Sequence, residues 1–359
     1  MEETALSGGI DRQRRRLLAL AAAGVAAGEL GLPAAAHGEG TAPRVSPKRA
    51  AAPLAAFGPL RQVATRTLDI GYVELGPSDG RPAILLHGWP YDIHSFADVA
   101  PLLAARGFRV IVPHLRGYGS TRFLAPGAMR NGQPAALAQD LIDFMDALQL
   151  EQAVVAGFDW GARTADIVAA LWPNRVRALV AVSGYLIGSQ AAGTQPLAPE
   201  VELQWWYQFY FATERGRIGY EKNRKDFARL IWRLASPRWD FDEAVFDRSA
   251  LSLDNPDHVA IVIHNYRWRL GLAEGEAQYA DVEARLAAGP LISVPTITLE
   301  GDANGAPHPP PASYAARFTG RYEHRTITGG VGHNLPQEAP IAFAQAVVAV
   351  GGEGAARAG

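Results

Sequence analysis

The chain has 359 residues, of which 48% are hydrophobic and 19% charged, a balance typical of globular proteins that bury a sizeable core. This length suits two domains, or one large domain with an insertion. The formal net charge of −2 argues against the basic surface that nucleic-acid binding needs, and the lack of cysteine excludes disulfides, thiolate metal sites and cysteine nucleophiles.

The N-terminus is typical of an export signal. Arg14–Arg16 precede an Ala-rich run, Leu17–Gly28, and Ala34–Ala36 offers a small-residue cleavage site. The arginines predict a twin-arginine signal over residues 1–36 and a periplasmic location. The alternative is a basic tail or a misplaced start codon, which would leave the protein in the cytoplasm. The run is too short and too weakly apolar to span a bilayer, so no stable membrane anchoring is expected.

A Pro-, Ala- and Gly-rich stretch at 37–57 predicts a linker, and beyond it short apolar runs alternate with helical patterns. Predicted strands are Ala83–His87, Arg109–Pro113, Ala153–Gly157, Ala178–Val182, Val294–Leu299 and Tyr322–Ile327. Predicted helices are Phe96–Arg106, Pro134–Leu148, Ala162–Trp172 and Pro340–Val350. Since the first four of these strands carry almost no alternation and are apolar on both faces, they indicate a mostly parallel sheet with helices on each side.

The segment 189–288 interrupts this alternation. It is rich in aromatic residues and arginine and is helical in period. The sequence therefore predicts an α/β core formed by residues 58–188 and 289–350, an inserted helical cap at 189–288 and a flexible tail at 351–359.

The central motif is Gly157-Phe158-Asp159-Trp160-Gly161, which follows a predicted buried strand and opens a predicted helix. This is the position of the G-x-S-x-G nucleophile elbow, with Asp159 in place of serine. An aspartate with an ordinary pKa of about 3.9 is ionised at neutral pH, so it can attack a saturated carbon directly and form an alkyl ester. The alternative is an aspartate that only caps the helix.

An earlier motif, Leu85-Leu86-His87-Gly88-Trp89-Pro90, also follows a predicted strand. The backbone N–H groups of Trp89 and Trp160 are predicted to form an oxyanion hole for Asp159. A tight turn at this place favours a cis bond before Pro90.

Two later motifs supply an acid and a base. Asp302 follows a predicted strand, and His333 lies in a Gly-rich loop after the last one, in the order nucleophile, acid, histidine. We expect His333 to activate the water that hydrolyses the ester and Asp302 to orient His333. Asp302 could instead be a turn residue, and Glu300 is a rival acid.

These motifs, with Arg116-Gly117-Tyr118-Gly119 and the ending G-H-x-x-P-x-E at 332–338, resemble the epoxide hydrolase and haloalkane dehalogenase branch of the α/β-hydrolases. The resemblance covers roughly residues 58–350. It implies the α/β-hydrolase fold, a cofactor-free hydrolase and a small apolar substrate. The sequence holds no H-E-x-x-H metal motif and no Gly-rich phosphate loop.

Epoxide hydrolases carry two cap tyrosines that donate a proton to the epoxide oxygen. The segment Trp206–Phe211 is similar to the first cap motif and His264–Arg267 to the second, so the resemblance implies this role for Tyr207 and Tyr266. An alkoxide leaving group needs a proton donor, whereas a halide does not, and the pair therefore favours an epoxide substrate that is converted to a vicinal diol. Alternatively, both tyrosines are wall residues of the cap.

A haloalkane or haloacid dehalogenase with the same Asp-His-Asp triad is the first alternative function. Trp160 matches the halide-binding tryptophan of haloalkane dehalogenases, and Arg163 matches a carboxylate-binding arginine of fluoroacetate dehalogenases. However, Trp160 replaces a second arginine of the latter enzymes, and Trp89 replaces an asparagine of many of the former. A ligand-binding homologue without turnover is the second alternative.

Overall fold

The computed structural model describes residues 57–352. The predicted export signal at 1–36 lies outside the described residues, as do nearly all of the predicted linker at 37–57 and of the tail at 351–359. These assignments and the periplasmic location therefore stay predictions.

A nine-stranded sheet forms the centre of the described chain. Its strands are β1 (Arg61–Ala64), β2 (Leu68–Leu75), β3 (Arg81–Leu86), β4 (Phe108–Pro113), β5 (Arg122–Phe123), β6 (Ala153–Gly157), β7 (Val176–Val182), β8 (Thr296–Gly301) and β9 (Tyr322–Ile327). The spatial order is β1-β2-β4-β3-β6-β7-β8-β9, with β5 paired to β2. All pairs from β4 to β9 are parallel, and β2 is antiparallel to β1, β4 and β5. The prediction of a mostly parallel sheet is confirmed.

Helices cover the sheet and fill the region between β7 and β8. They are α1 (Val99–Ala104), α2 (Pro134–Ala147), α3 (Trp160–Leu171), α4 (Gln190–Gly193), α5 (Pro199–Gln204), α6 (Trp206–Ala212), α7 (Glu214–Ala235), α8 (Glu243–Ala250), α9 (His258–Arg269), α10 (Ala280–Ala287), α11 (Pro311–Tyr314), α12 (Leu335–Glu338) and α13 (Pro340–Gly351). Helices α4–α10 form the segment that was predicted to be a helical cap. The boundaries of that cap at 188/189 and 288/289 stay a prediction.

The apolar runs in the sequence become the innermost strands. All five residues of β6 are buried, and the last four residues of β3 are buried beside it. Because burial on both faces selects apolar residues at every position, the sequence marks these strands well. Their carboxyl ends, at Leu86 and Gly157, lie side by side in the sheet, and this edge positions the two motifs that follow them.

The antiparallel strands β1, β2 and β5 were not predicted. In β1 three of four residues are exposed, and β5 has only two residues. Neither β1 nor β5 shows an apolar run in the sequence, because these strands are defined by their pairing with β2 and not by burial. The predicted helix Phe96–Arg106 is also shorter in the structure, where a 3₁₀ turn at Ile93–Phe96 precedes α1.

Within residues 57–352, no helix is long and apolar enough to cross a membrane. The same residues contain no cluster of three or more histidine or carboxylate side chains arranged to hold a metal ion.

Candidate active site

Asp159 lies at the sharp turn between β6 and α3. Its backbone has φ 52° and ψ −122°, a left-handed region that costs energy for any residue other than glycine. Gly161 makes the turn possible, since a Cβ atom there would collide with the carbonyl of Leu86 on the neighbouring strand. The turn lifts the carboxylate off the end of the sheet and leaves its side chain 23% exposed.

The loop after β3 brings backbone N–H groups to this carboxylate. The Trp89 N–H donates to Asp159 Oδ1 at 2.7 Å, and the Trp160 N–H lowers the pKa of the carboxylate. Gly88 permits this approach, because a Cβ atom there would overlap the Asp159 side chain. The Trp89–Pro90 bond is cis, as expected. The two predicted oxyanion donors are therefore next to the predicted nucleophile.

His333 faces the other carboxylate oxygen. Its Nε2 atom is 3.5 Å from Asp159 Oδ2, and its side chain is 9% exposed. Burial by itself raises the pKa of Asp159, but the hydrogen bond and charge of His333, together with the two backbone N–H groups, hold that pKa below its usual value. Asp159 is thus ionised at neutral pH, with Oδ1 held by the backbone and Oδ2 beside the imidazole.

Asp302 does not orient His333, and the prediction of this role is wrong. Its carboxylate is exposed and accepts the backbone N–H groups of Gly329, Gly330 and Val331 at 2.8–3.0 Å. Within the described chain, the buried Nδ1 of His333 has no hydrogen-bond partner. Asp302 is therefore a turn residue, because three N–H donors in one loop satisfy its carboxylate, which does not bond to the imidazole.

Glu300, the rival acid, does not reach His333 either. Its Oε1 accepts the Asn304 side-chain amide at 2.7 Å, and its Oε2 lies 3.9 Å from His308 Nε2. The structure thus brings Asp159 and His333 together, but neither Asp302 nor Glu300 bonds to the imidazole.

We expect the Asp302→Ala variant to keep its turnover within about threefold of the wild type, as for other changes away from a reacting centre. Its effect is expected on stability instead. Hydrogen bonds from Gly329, Gly330 and Val331 lower the pKa of Asp302, so its stabilising contribution is present above the unfolded-state pKa and is lost as pH falls through the folded-state pKa. Thermal unfolding of both proteins at pH 7 and pH 3 measures this. A large loss of turnover with an unchanged melting temperature would restore Asp302 to the catalytic set.

A different carboxylate holds the loop that carries His333. Glu338 accepts the N–H groups of Gly332 at 2.7 Å and Asn334 at 3.1 Å, and the Ser236 hydroxyl at 2.6 Å. Ser236 Oγ in turn accepts the His333 N–H at 3.0 Å. Burial raises the pKa of Glu338, and the charge of His333 is among the effects that oppose this rise. Glu338 belongs to the G-H-x-x-P-x-E motif, and its role here is to fix the backbone around His333.

The two predicted tyrosines pack together on the ring of Trp89, whose backbone N–H binds the Asp159 carboxylate. Tyr207 on α6 and Tyr266 on α9 form an edge-to-face pair with ring centroids 5.4 Å apart. Both contact the Trp89 ring, at 5.1 and 5.3 Å, and Tyr266 also packs against the Trp160 ring at 6.0 Å. The Trp89 and Trp160 side chains, which follow the ends of β3 and β6, thus pack against the tyrosine pair.

Both phenols remain protonated at neutral pH. Burial raises the pKa of Tyr207 to about 12, and the negative charge of Asp159 adds to the rise. Burial also raises the pKa of Tyr266 well above its usual value, with further contributions from Tyr207 and Asp159. Each hydroxyl therefore keeps its proton at neutral pH, which is the state that a general acid needs.

A buried hydrogen-bond chain holds the Trp89 indole. Its Nε1–H donates to Tyr220 Oη at 2.9 Å, and that hydroxyl contacts His258 Nε2 at 2.8 Å. His258 Nδ1 contacts the Gly117 carbonyl at 2.9 Å, so Nδ1 carries the proton and Nε2 accepts from Tyr220. Burial lowers the pKa of His258 to about 3, which keeps this neutral tautomer. These hydrogen bonds link the loop after β3, which carries Trp89, to α7 and α9.

Three residues around the site were not predicted from the sequence: Tyr220, His258 and Arg269. Arg269 stands one helical turn after Tyr266 on α9, and its guanidinium lies 5.7 Å from the centre of that ring. The i, i+3 spacing from a predicted site residue was a usable signal, because such residues share a helix face. Tyr220 and His258 gave no local signal, since they meet Trp89 only through tertiary packing.

Comparison with known proteins places this site in a family. A family model described as the alpha/beta hydrolase fold matches residues 82–222. Epoxide hydrolase B of Mycobacterium tuberculosis is 34% identical over 152 residues, covering 39% of this chain and 42% of that protein, so the match spans less than half of that relative. Epoxide hydrolase A of the same organism is 27% identical over 305 residues, covering 78% of this chain and 93% of that protein.

A solved structure gives a longer match at higher identity. The crystal structure of a candidate epoxide hydrolase from Klebsiella pneumoniae is 65% identical in sequence, with a TM-score of 0.82. The match covers 82% of this chain and 98% of that chain.

Proposed function

Since this chain belongs to the α/β-hydrolase family and is an enzyme similar to epoxide hydrolases, we propose that it opens an epoxide to a vicinal diol through an alkyl ester on Asp159. The observation that carries the proposal is the arrangement of charges around the nucleophile. Asp159 Oδ1 accepts the Trp89 N–H and Oδ2 lies 3.5 Å from His333 Nε2. Two protonated phenols pack on the Trp89 ring, and the charge of Asp159 raises the pKa of both.

In the first step, Asp159 Oδ2 attacks a ring carbon of the epoxide. The carbon–oxygen bond of the ring breaks, and its electron pair stays on the ring oxygen. Tyr207 or Tyr266 then transfers a proton to this oxygen, which forms the first hydroxyl of the product. The high pKa of both phenols ensures that the proton is present at neutral pH, and the developing alkoxide is basic enough to take it.

In the second step, His333 Nε2 removes a proton from water, and the water oxygen adds to Cγ of Asp159. The negative charge gathers on Oδ1, where the N–H groups of Trp89 and Trp160 stabilise it, by a few kcal/mol in comparable oxyanion holes. The Cγ–Oδ2 bond then breaks, and Oδ2 leaves with the diol and takes the proton from His333. The second water proton returns to the tyrosinate, which restores the enzyme.

Replacing both tyrosines tests the assignment of the leaving group. The Tyr207→Phe, Tyr266→Phe double variant is expected to open styrene oxide about 10²- to 10⁴-fold more slowly, the range that general acids contribute. Stopped-flow measurement of the alkylation step measures the effect. Tyr210→Phe is the matched control, because Tyr210 lies on the same helix and stacks on Phe227. Epoxide opening at the wild-type rate in the double variant would remove the phenols from the mechanism.

One observation favours a dehalogenase as the second candidate. The indole Nε1 of Trp160 is buried and has no hydrogen-bond partner in the described chain, so it could donate to a halide. However, the Trp89 indole is bound to Tyr220, which leaves a single indole donor at the site. Halide release from chloroacetate and 1-chlorobutane, set against diol formation from styrene oxide, separates the two functions.

A further inference from the structure

In the described chain, the His333 imidazole has no acidic partner at Nδ1, while its Nε2 faces Asp159. The ring instead packs against the rings of Tyr91 and Phe158, with centroids 6.0 and 6.1 Å from its own. These aromatic contacts restrict the tilt of the imidazole, but they do not fix the backbone that carries it. The position of Nε2 therefore depends on what holds the His333 backbone.

The end of helix α7 holds that backbone. The His333 N–H donates to Ser236 Oγ at 3.0 Å and to the Ala235 carbonyl at 3.2 Å. The last carbonyls of a helix have no N–H partner inside the helix, and that of Ala235 also accepts the Gly305 N–H at 2.9 Å. Gly332 permits the close approach, because a Cβ atom there would lie 2.6 Å from Ser236 Cα. One helix end thus binds both the loop after β8 and the loop after β9.

Ser236 forms three hydrogen bonds at this junction and is buried. Its Oγ accepts the N–H groups of His333 at 3.0 Å and Asn334 at 3.4 Å, and its own proton goes to Glu338 Oε1 at 2.6 Å. Glu338 also accepts the Gly332 N–H, so it acts here as an acceptor only. The Ser236 proton is therefore committed to Glu338, which leaves the oxygen lone pairs for the two backbone N–H groups.

Trp232, one helical turn before Ser236, attaches the end of α7 to the loop after β3. Its Nε1–H donates to the Pro90 carbonyl at 3.1 Å, and its ring stacks on Tyr91 with centroids 4.9 Å apart. The Ser236 N–H in turn donates to the Trp232 carbonyl at 2.9 Å. The loop with the oxyanion donor and the loop with His333 are therefore both bound to the last turn of one helix.

We propose that Ser236 is a positioning residue for ester hydrolysis. Through the His333 N–H, it holds the imidazole where Nε2 can activate the water that attacks the Asp159 ester. A displacement of about 1 Å at a reacting group can cost about 10²-fold in rate, so this backbone contact takes over the orienting role that Asp302 does not fill. Alkylation of Asp159 needs no base, and Ser236 therefore affects only the second half-reaction.

This inference rests on the proposed function for the ester on Asp159, but not for the leaving group. An ester formed from an epoxide and one formed from an alkyl halide would both be hydrolysed with the same histidine as base.

A substrate-free experiment tests the anchoring. Ser236→Ala removes Oγ but leaves the Ala235 carbonyl as an acceptor for the His333 N–H, so the variant is expected to fold. We expect the backbone amides at 332–334 to exchange hydrogen roughly tenfold faster than in the wild type, because a local contact is lost; mass spectrometry of the peptide measures this. Ser249→Ala is the matched control, since Ser249 is a buried serine on α8 whose hydroxyl has no partner among the described residues. Unchanged exchange in Ser236→Ala would overturn the proposal.

A rapid-quench experiment with styrene oxide then separates the two half-reactions. In Ser236→Ala, we expect alkylation of Asp159 within about twofold of the wild type and ester hydrolysis slowed about 10- to 100-fold, so that the alkyl-enzyme accumulates. Ser249→Ala should carry out both steps at wild-type rates. Hydrolysis at the wild-type rate in Ser236→Ala, or an equal loss in both steps, would overturn the inference and leave the proposed function intact.

The wild type in the same experiment tests the proposed function separately. If it formed no diol, epoxide opening would be contradicted. The comparison of Ser236→Ala with Ser249→Ala would then be made with 1-chlorobutane, which would alkylate Asp159 with loss of chloride. Slower hydrolysis of that ester in Ser236→Ala alone would support the role of Ser236, and equal rates in the two variants would overturn it.

Discussion

The Asp159→Ala variant is expected to lose at least about 10⁴-fold in kcat for epoxide hydrolysis and to remain folded. Removal of a covalent nucleophile has effects of this size or larger, because no other group can form the intermediate. The Asp159 carboxylate provides the attacking oxygen and also the carbonyl that occupies the oxyanion hole, so both half-reactions depend on it. Steady-state diol formation measures the loss, and circular dichroism establishes the fold.

Asp302→Ala serves as the carboxylate control for this experiment. The sequence offered both aspartates as triad members, and the structure separates them: one faces His333, and the other accepts three N–H groups of an exposed turn. The proposed mechanism therefore requires a large loss of turnover in Asp159→Ala and near-normal turnover in Asp302→Ala. Equal losses in the two variants would mean that the structure misassigns the site.

The His333→Gln variant is expected to stop halfway through the reaction. Alkylation of Asp159 needs the tyrosine donors rather than the imidazole, so one equivalent of epoxide should still be consumed. Hydrolysis of the ester needs His333 Nε2 as a base, which lies 3.5 Å from Asp159 Oδ2. Loss of the base should lower kcat by at least about 10³-fold and let the alkyl-enzyme accumulate. Rapid-quench mass spectrometry of the intact protein measures its mass increase.

His308→Gln is the control for that variant, because His308 is an exposed histidine after β8 whose Nε2 lies 3.9 Å from Glu300 Oε2. It should turn over normally and accumulate no adduct. If His333→Gln consumed no epoxide even in a single turnover, the imidazole would be needed for alkylation and the division of labour proposed here would be wrong.

The sequence predicted those parts of the fold that burial alone determines. Strands β3, β4 and β6 are apolar on both faces, so their runs were readable, and the motifs after β3 and β6 could be placed at one edge of the sheet. The predicted membership in the α/β-hydrolases is confirmed. The exposed strands β1 and β5 were missed, because their pairing partners, rather than their own residues, define them.

The residues of the site likewise divide into those that local sequence predicts and those that depend on tertiary packing. Asp159, Trp89 and Trp160 come from local turn chemistry, and the sequence placed them together correctly. The roles of Asp302 and Tyr220 depend on where loops and helices meet after folding. Nothing in the sequence around Asp302 reveals that an exposed turn captures its carboxylate, and nothing around Tyr220 reveals that its hydroxyl accepts the Trp89 indole N–H.

A single-turnover experiment in ¹⁸O-water distinguishes attack by Asp159 on the epoxide from direct attack by water. Excess enzyme consumes a limiting amount of styrene oxide, and mass spectrometry locates the label in the diol and in the peptide that contains Asp159. The ester mechanism predicts an unlabelled diol and one ¹⁸O atom in the Asp159 carboxylate, because the oxygen added to the substrate comes from that side chain. Label in the diol with an unlabelled Asp159 would mean that water attacks the epoxide directly, and the ester mechanism would be contradicted.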